Sequence, residues 1–310
     1  MAKLCHLHEI KRDPNTVITV GTFDGVHQGH KALIEAVVKQ AKTTKSRSVV
    51  VTFDPHPRSI IRSKEEGLKL LTTMRERAES MKSLGVDVMC VIPFTRDFSL
   101  LSSEQFVKEI IHEKIGINHF VIGYDHHFGK DRSGTIETLE RLAPDLGFDV
   151  QVVSKKEMGD TTISSTVIRD ILAEEGDVKR AKDLLGRPYM LNGLVIHGDE
   201  RGRNIGFPTA NLKPEHEDKL VPKNGIYAVK IRVNDSWYNG MMNIGIRPTF
   251  DGTKKSLEVN IFNFDESIYG KTVQVRFFER IRDEKKFSGP VELIQQLEND
   301  KAKVTTILKI

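Results

Sequence analysis

Val17–His30 reads V-I-T-V-G-T-F-D-G-V-H-Q-G-H. The run Val17–Val20 has the apolar, β-branched character of a buried strand. A glycine-containing turn follows, and beyond it Leu33, Val37 and Ala41 recur at i, i+4 and i+8 with Ile34 and Val38 beside them. That is the stripe of an amphipathic helix. The stretch therefore predicts strand, turn and helix. His27 and His30 fall where the helix starts, a place that offers unpaired backbone N–H groups and the positive end of the helix dipole. Glycines let a ligand approach the backbone closely. Imidazoles added there suit a phosphate chain that gains charge during a reaction. A pair of ordinary helix-start histidines is the plainer alternative, and the strand–glycine turn–helix setting favours the phosphate site.

Working outward, strand and helix signals alternate over the first 180 or so residues. Predicted strands are Val17–Val20, Ser48–Phe53, Val86–Ile92, His119–Gly123 and Asp149–Val153, several of them near-continuous apolar runs of the kind covered on both faces. Leu70, Met74, Ala78 and Met81 carry a second helical stripe. Ser102-x-x-Gln105 reads as a capping box ahead of Phe106, Val107, Ile110 and Ile111. The alternation implies an open, mostly parallel sheet with ligands outside the carboxyl ends of the strands, the edge on which Gly21–His30 lies.

The texture changes near Leu185-Gly186-Arg187-Pro188. Helices are expected from about Ser165 and about Asp177. After the change come short β-like runs, Leu191–His197, Gly225–Val233, Trp237–Asn243, Leu257–Phe264 and Thr272–Arg280, separated by turns such as Asn234-Asp235. They suggest an antiparallel barrel. A final helix is expected from about Pro290, with Val291, Leu293, Ile294 and Leu297 as its apolar positions. The chain thus divides into residues 1–186 and 187–310.

The 310 residues are 38% hydrophobic and 29% charged, ordinary values for a globular protein with room for two cores. Lys and Arg number 47 against 43 acidic residues, a mild excess spread along the chain. It fits small anionic substrates and gives no reason to expect a nucleic-acid partner. No run approaches the ~20 apolar residues of a spanning helix, so no membrane partner is expected. Cys5 and Cys90 make neither a metal spacing nor a disulfide framework and read as free thiols of a cytoplasmic protein.

Further segments carry chemistry. Thr52–Pro57 ends a strand with two prolines and is either a stiff turn or a substrate-facing loop. Gly123-Tyr124-Asp125-His126-His127-Phe128-Gly129 holds a histidine pair, but no partner at ligand spacing supports zinc, and a nucleotide-contacting loop fits better. Ile163–Arg169, I-S-S-T-V-I-R, puts three hydroxyls and Arg169 at a helix start. Capping accounts for one hydroxyl; the set suits a polyphosphate. In the second half, Gly198–Leu212 is dense in Gly, Arg and small polar residues. Pro208-Thr209-Ala210-Asn211 there presents a hydroxyl and an amide two residues apart, oxygens that can hold a hard Mg²⁺ carrying ATP phosphates.

GTFDGVHQGH, FDPHP, GYDHHFG and ISSTVIR resemble, in order and spacing, the N-terminal module of the bacterial bifunctional riboflavin kinase/FAD synthetases, a HIGH-type nucleotidyltransferase. Gly198–Leu212 resembles the flavokinase signature, including its PTAN core. Gly245–Phe250 resembles that family's mobile loop, Leu257-Glu258-Val259-Asn260 the strand with its catalytic glutamate, and Arg282–Phe287 its closing segment. The resemblance implies a Rossmann-like α/β nucleotidyltransferase domain and a six-stranded antiparallel flavokinase barrel with a terminal helix. It also implies roles. His27 and His30 would contact the ATP phosphates, with Gly21, Phe23, Asp24, Gly25 and Gly29 shaping the nucleotide loop. Ser165, Thr166 and Arg169 would close on the β- and γ-phosphates, and Asp125 would hold the nucleotide or flavin side. Asp54, His56, Pro57, Arg247 and Phe287 are flavin-side candidates. Gly202, Arg203, Gly206 and Pro208 would face the second nucleotide, and Thr209 and Asn211 the metal. Phosphorylating a neutral hydroxyl needs a base, and Glu258 is the candidate; a solvated strand residue is the alternative. Two departures stand out. Some relatives carry Asn where Asp125 stands, and many carry His where Asn260 stands.

The expected function is phosphorylation of riboflavin to FMN and adenylylation of FMN to FAD, with ATP as co-substrate, Mg²⁺ as cofactor, and a monomer or transient homo-oligomer as the working form. A homologue with one surviving activity and a flavin- or nucleotide-binding regulatory protein are the alternatives.

Overall fold

A computed structural model describes residues 3–61, 67–124, 126–130, 133–154, 157–158, 161–198, 201–249 and 252–310; for 157–158, 161–162, 201, 204, 247–249 and 252–254 it describes the backbone alone. The chain forms two compact units, Met1–Ser164 and Ser165–Ile310.

The first unit is a six-stranded parallel sheet. Its strands are β1 (Lys3–His6), β2 (Thr16–Val20), β3 (Arg47–Asp54), β4 (Val88–Pro93), β5 (His119–Gly123) and β6 (Asp149–Val153). Their order is β1-β4-β3-β2-β5-β6. From β2 the chain runs outward through β3 and β4 on one side and later through β5 and β6 on the other. The order therefore reverses beside β2, which pairs with both β3 and β5. A crevice for ligands forms at such a switch point, and Gly21–His27 is the loop that leaves it.

Helices α1 (Gln28–Thr44) and α3 (Met74–Ser83) cover one face. The other carries α5 (Ile136–Leu146) and a helix that opens as α4 (Ser103–Gln105) and widens to π-type hydrogen bonding over Phe106–Ile115. The apolar strand runs divide with period two. Val17, Val50, Met89, Val91 and Val121 join the α1 core. Ile18, Val20, Val49, Val51, Cys90, Ile92, Phe120 and Ile122 join the other. Both faces are filled, which is why these strands read as unbroken apolar sequence. The Ser102 capping box forms as expected, with Gln105 N donating to Ser102 Oγ and Ser102 N to Gln105 Oε1. The expected helix from Leu70 starts later. Thr73 caps α3 through its own box with Glu76, so Leu70 and Leu71 belong to the approach. A short helix α2 (Pro57–Ile61) follows β3, and a hairpin β7 (Glu157–Met158) and β8 (Thr161–Thr162) follows β6.

The second unit opens with α6 (Ser165–Asp170), continued by a π-type turn over Ile171–Glu175, and α7 (Val178–Leu185). Lys223 N donates to Leu172 O, tying these helices to the barrel. The barrel is closed in the order β10-β13-β12-β11-β14-β9. Its strands are β9 (Met190–Ile196), β10 (Ala210–Pro214), β11 (Gly225–Val233), β12 (Ser236–Thr249), β13 (Gly252–Ile261) and β14 (Thr272–Arg282), all antiparallel. Closure leaves no free sheet edge. Asn234, at φ 53°, sits in the left-handed conformation of the β11–β12 turn. Helix α8 (Pro290–Leu308) packs Val304 and Leu308 with Ala228, Met241 and Phe262. Its expected apolar face is corrected in one place: Val291 is 83% exposed, and the buried positions Asp300, Val304 and Leu308 lie further along. Sequence periodicity also missed β1 and β10. β1 is a short edge strand, and β10 lies inside the glycine-rich segment.

Candidate active sites

In the first unit, His27 is the N-cap of α1, and its Nδ1 accepts from His30 N at 3.3 Å. A neutral ring accepting at Nδ1 carries its hydrogen on Nε2. The His30 ring stacks on His27 at 3.6 Å between centroids, 19° from parallel, and Phe23 meets His30 edge-on at 5.2 Å. A Cβ on Gly29 would lie 3.3 Å from the His27 ring, so glycine lets the ring sit there. Phe23 and Val26 adopt φ of 48° and 43°. A β-branched residue in that region is strained, and such strain persists where surrounding contacts over-determine the loop.

Those contacts centre on Asp24, which is fully buried. Leu71 N and Thr72 N donate to its two oxygens at 3.0 and 2.9 Å, and Thr72 Oγ1 donates at 3.1 Å. Arg77 Nη2 lies 3.6 Å away. Arg77 Nη1 donates to Thr52 Oγ1, which donates in turn to Thr22 O. Gly25 N donates to Thr72 Oγ1 at 2.9 Å. Asp24 thus ties the loop to the segment before α3. Thr52, Thr72 and Arg77 are contributors that sequence reasoning missed, because 28 to 53 positions separate them from Asp24 and no local pattern links them.

Asp54 is exposed, Pro57 begins α2, and His56 is buried with Nδ1 accepting from Arg58 N. Asp125 lies outside the described residues. Beside it His126 is half-buried, His127 exposed and Phe128 anchored in the core. No group of three or more His, Cys, Asp or Glu able to hold a metal occurs among the described residues. Ser165, Thr166 and Arg169 lie on α6 in the second unit; Arg169 is buried and Thr166 exposed.

In the second unit a cavity of about 550 Å³ opens at the barrel. Glu258, Asn243, Asn260, Thr209 and Arg282 are among its polar lining, and Ile226, Met241, Leu293, Leu297 and Phe287 among its apolar lining. Thr209 Oγ1 stands 3.5 Å from Glu258 Oε2, and Asn211 is the cross-strand partner of Glu258. Gly198 is required beside Asn211, whose amide a Cβ there would strike. Asn260 Nδ2 donates to Pro208 O at 2.7 Å, fastening β13 to the segment before β10. Gly202 lines the cavity and packs so closely on Phe207 O that a side chain would collide with it. Gly206, at φ 79°, Pro208 and Arg203 are exposed. The backbone of Arg247 pairs with Lys254, and its side chain lies outside the described set. Arg282 grips the fully buried Asp300 of α8 with Nε at 3.0 Å and Nη2 at 2.7 Å. Phe287 lies 5.8 Å below its guanidinium. At the start of α8, Lys285 and Ser288 hold the exposed Glu292 carboxyl down at about 2.

Comparison with known proteins finds two family models along the chain. The FAD synthetase model matches residues 9–167 and the riboflavin kinase model residues 185–308. A bifunctional riboflavin kinase/FMN adenylyltransferase of Listeria monocytogenes is 43% identical over 93% of this chain and 91% of its own. The chain belongs to that bifunctional family. Relatives of the same name from Bacillus subtilis and Escherichia coli are 39% and 32% identical, over 96% and 95% of this chain and 95% and 94% of theirs. The crystal structure of a macrolide-efflux protein from Streptococcus pneumoniae superposes with a TM-score of 0.89 at 33% identity, covering 96% of this chain and 97% of that one. No helix among the described residues is long and apolar enough to cross a membrane. Members of the bifunctional family join an α/β nucleotidyltransferase sheet to a flavokinase barrel, and both are present.

Proposed function

We propose that the two activities of the family are divided between the two sites described. The barrel makes FMN from riboflavin and ATP, and the parallel-sheet unit makes FAD from FMN and a second ATP. The observation that carries this division is the placement of Glu258 against Thr209 in the barrel cavity, with the His27–His30 stack at the switch point of a separate sheet.

In the barrel, Glu258 takes the proton of the riboflavin 5′-hydroxyl. The oxygen then bonds to the γ-phosphorus of ATP, and the β–γ bridging bond breaks to release ADP. The apolar lining suits the flavin ring, with Arg247 and Phe287 on the flavin side. Gly202, Arg203, Gly206 and Pro208 shape the nucleotide side. Thr209 and Asn211 supply hard oxygen donors beside a carboxylate, a set that fits Mg²⁺ bound partly by substrate phosphates. The ion, when bound, neutralises charge on those phosphates.

In the sheet unit no base is needed, because the FMN phosphate is already anionic. One of its oxygens attacks the α-phosphorus of ATP, and the α–β bridging bond breaks to release pyrophosphate. His27 and His30 donate to phosphate oxygens as charge develops, with Gly21, Phe23, Gly25 and Gly29 shaping the loop and Asp24 fixing it. The Asp54–Pro57 and Asp125 loops serve the flavin and nucleotide. Residues 1–186 and 187–310 are the functional halves. The protein works in the cytoplasm as a monomer or transient homo-oligomer.

Purified protein given riboflavin, ATP and Mg²⁺ is expected to yield FMN and then FAD on chromatography. Supplying riboflavin and FMN in separate reactions assigns each step. Absence of any flavin phosphate would sink the proposal, and activity with only one of the two substrates would reduce it to a single-activity homologue.

A further inference from the structure

The barrel cavity holds a polar group that the steps above leave unused. Asn243 on β12 is the direct cross-strand partner of Glu258 on β13, as Met241 is of Asn260. Directly opposed residues of an antiparallel pair share a face, with Cβ atoms ~4.5–5.5 Å apart. All four residues line the cavity. Asn243 Oδ1 is sealed from water and has no hydrogen-bond partner among the described residues. Native proteins keep few such atoms, and each calls for an explanation. The adjacent polar groups are engaged, Asn260 with Pro208 O and Thr209 with Glu258.

We propose that Asn243 is a specificity-determining residue of the kinase site, its carboxamide oxygen accepting a hydrogen bond from a hydroxyl of the flavin's ribityl chain. The inference rests on the cavity being the riboflavin kinase site. A hydrogen-bond donor or a hard cation can satisfy Oδ1, and the cation is already assigned to Thr209 and Asn211. The phosphates of ATP are acceptors, so they cannot. The ribityl chain carries hydroxyls on adjacent carbons, and its terminal one must lie at Glu258 to be deprotonated. A neighbouring hydroxyl is then within reach of the residue facing Glu258 across the strands. A site built to bond a hydroxyl rejects the analogue lacking it, because its own polar atom is left unpaired.

The test uses the full-length protein with riboflavin and its 2′-, 3′- and 4′-deoxyribityl analogues, reading kcat/KM for phosphorylation. Wild type is expected to lose roughly tenfold or more with one of the analogues. Asn243→Ala is expected to lose a similar factor on riboflavin, to treat that analogue and riboflavin alike, and to keep its KM for ATP within about twofold. FMN adenylylation by the same variant reports that the protein is otherwise intact. Where Ala impairs folding, Asn243→Ser is used, with a smaller loss of the same pattern expected. Unchanged riboflavin kinetics, a loss falling on the KM for ATP, or a variant that keeps the wild-type ranking of analogues would overturn the assignment. A wild-type protein that phosphorylates none of the flavins would overturn the reading of the cavity itself.

Discussion

Arg77 Nη2 lies 3.6 Å from Asp24 Oδ1, and the two side chains are 2% and 0% exposed. They join the loop after β2 to α3, so the histidine loop is fixed by a residue 53 positions away. Removing one partner of a buried pair leaves an uncompensated charge, at a cost of about 3–5 kcal/mol. Arg77→Met is therefore expected to lower the thermal midpoint by several degrees and to reduce FAD formation, while riboflavin phosphorylation at low temperature persists. Differential scanning calorimetry with separate assays of the two steps checks this. Equal loss of both activities would show that Arg77 does not act through the loop.

His27 has a capping task that the structure shows, its Nδ1 accepting from His30 N at the start of α1, and a proposed donor task at Nε2. Asparagine is a good N-cap but places no donor where Nε2 stands. His27→Asn should keep stability within a few tenths of a kcal/mol while FAD formation falls ~10²-fold or more. His27→Ala should add a capping loss of about 1 kcal/mol. Matched denaturation curves and initial rates distinguish the two effects. His30→Ala should stop the sequence of reactions at FMN.

Glu258→Gln keeps the shape beside Thr209 and removes the base. General-base loss predicts a fall of ~10²–10⁴ in riboflavin phosphorylation, with FMN adenylylation unchanged. A variant that phosphorylates riboflavin at the wild-type rate would return Glu258 to the status of an ordinary strand residue.

Asn260 Nδ2 donates to Pro208 O at 2.7 Å. Asn260→Ala leaves that carbonyl without its partner and should cost about 1–3 kcal/mol. Loosening the PTAN segment should also raise the KM for ATP in the kinase step. Asn260→His should restore both measurements in part if tethering is the role, and a histidine variant no better than alanine would refute it.

Cys5 and Cys90 are register partners on β1 and β4. Burial, then the neighbouring Cys5 thiol, pushes Cys90 up to about 12 from an ordinary 9.0. Because the native value is raised, the unfolded chain releases this proton first. The contribution to stability is complete below pH 9 and is lost as pH rises toward 12. Cys90→Ala should flatten that alkaline limb in urea titrations between those values. The thiolate is the reactive form, so the native protein should resist a disulfide reagent at pH 8 and the unfolded chain should react at both cysteines.

Much of the architecture was legible because local rules and tertiary packing agree. Continuous apolar strands, the Ser102 capping box and the glycine turn into α1 each carry their signal within a few residues. β1 escaped notice because a four-residue edge strand has too little sequence for periodicity to register. The start of α8 departs from expectation because Val291 is a core residue by type but faces solvent in the first turn.

By itself the sequence determined the strand–turn–helix that sets the Gly21–His27 loop, the change from a parallel sheet to a barrel, and the residue types able to bind phosphate, metal and an alcohol. These follow from periodicity and side-chain chemistry, which are local. Only the tertiary structure decided that Asp24 looks inward to Thr72 and Arg77, that Asn260 is spent on Pro208, and that Asn243 faces Glu258 with its carbonyl unanswered. Each depends on strand register or on contacts between distant segments, and a hydrogen bond's partner is set by where the fold brings the chain back, which no local pattern encodes.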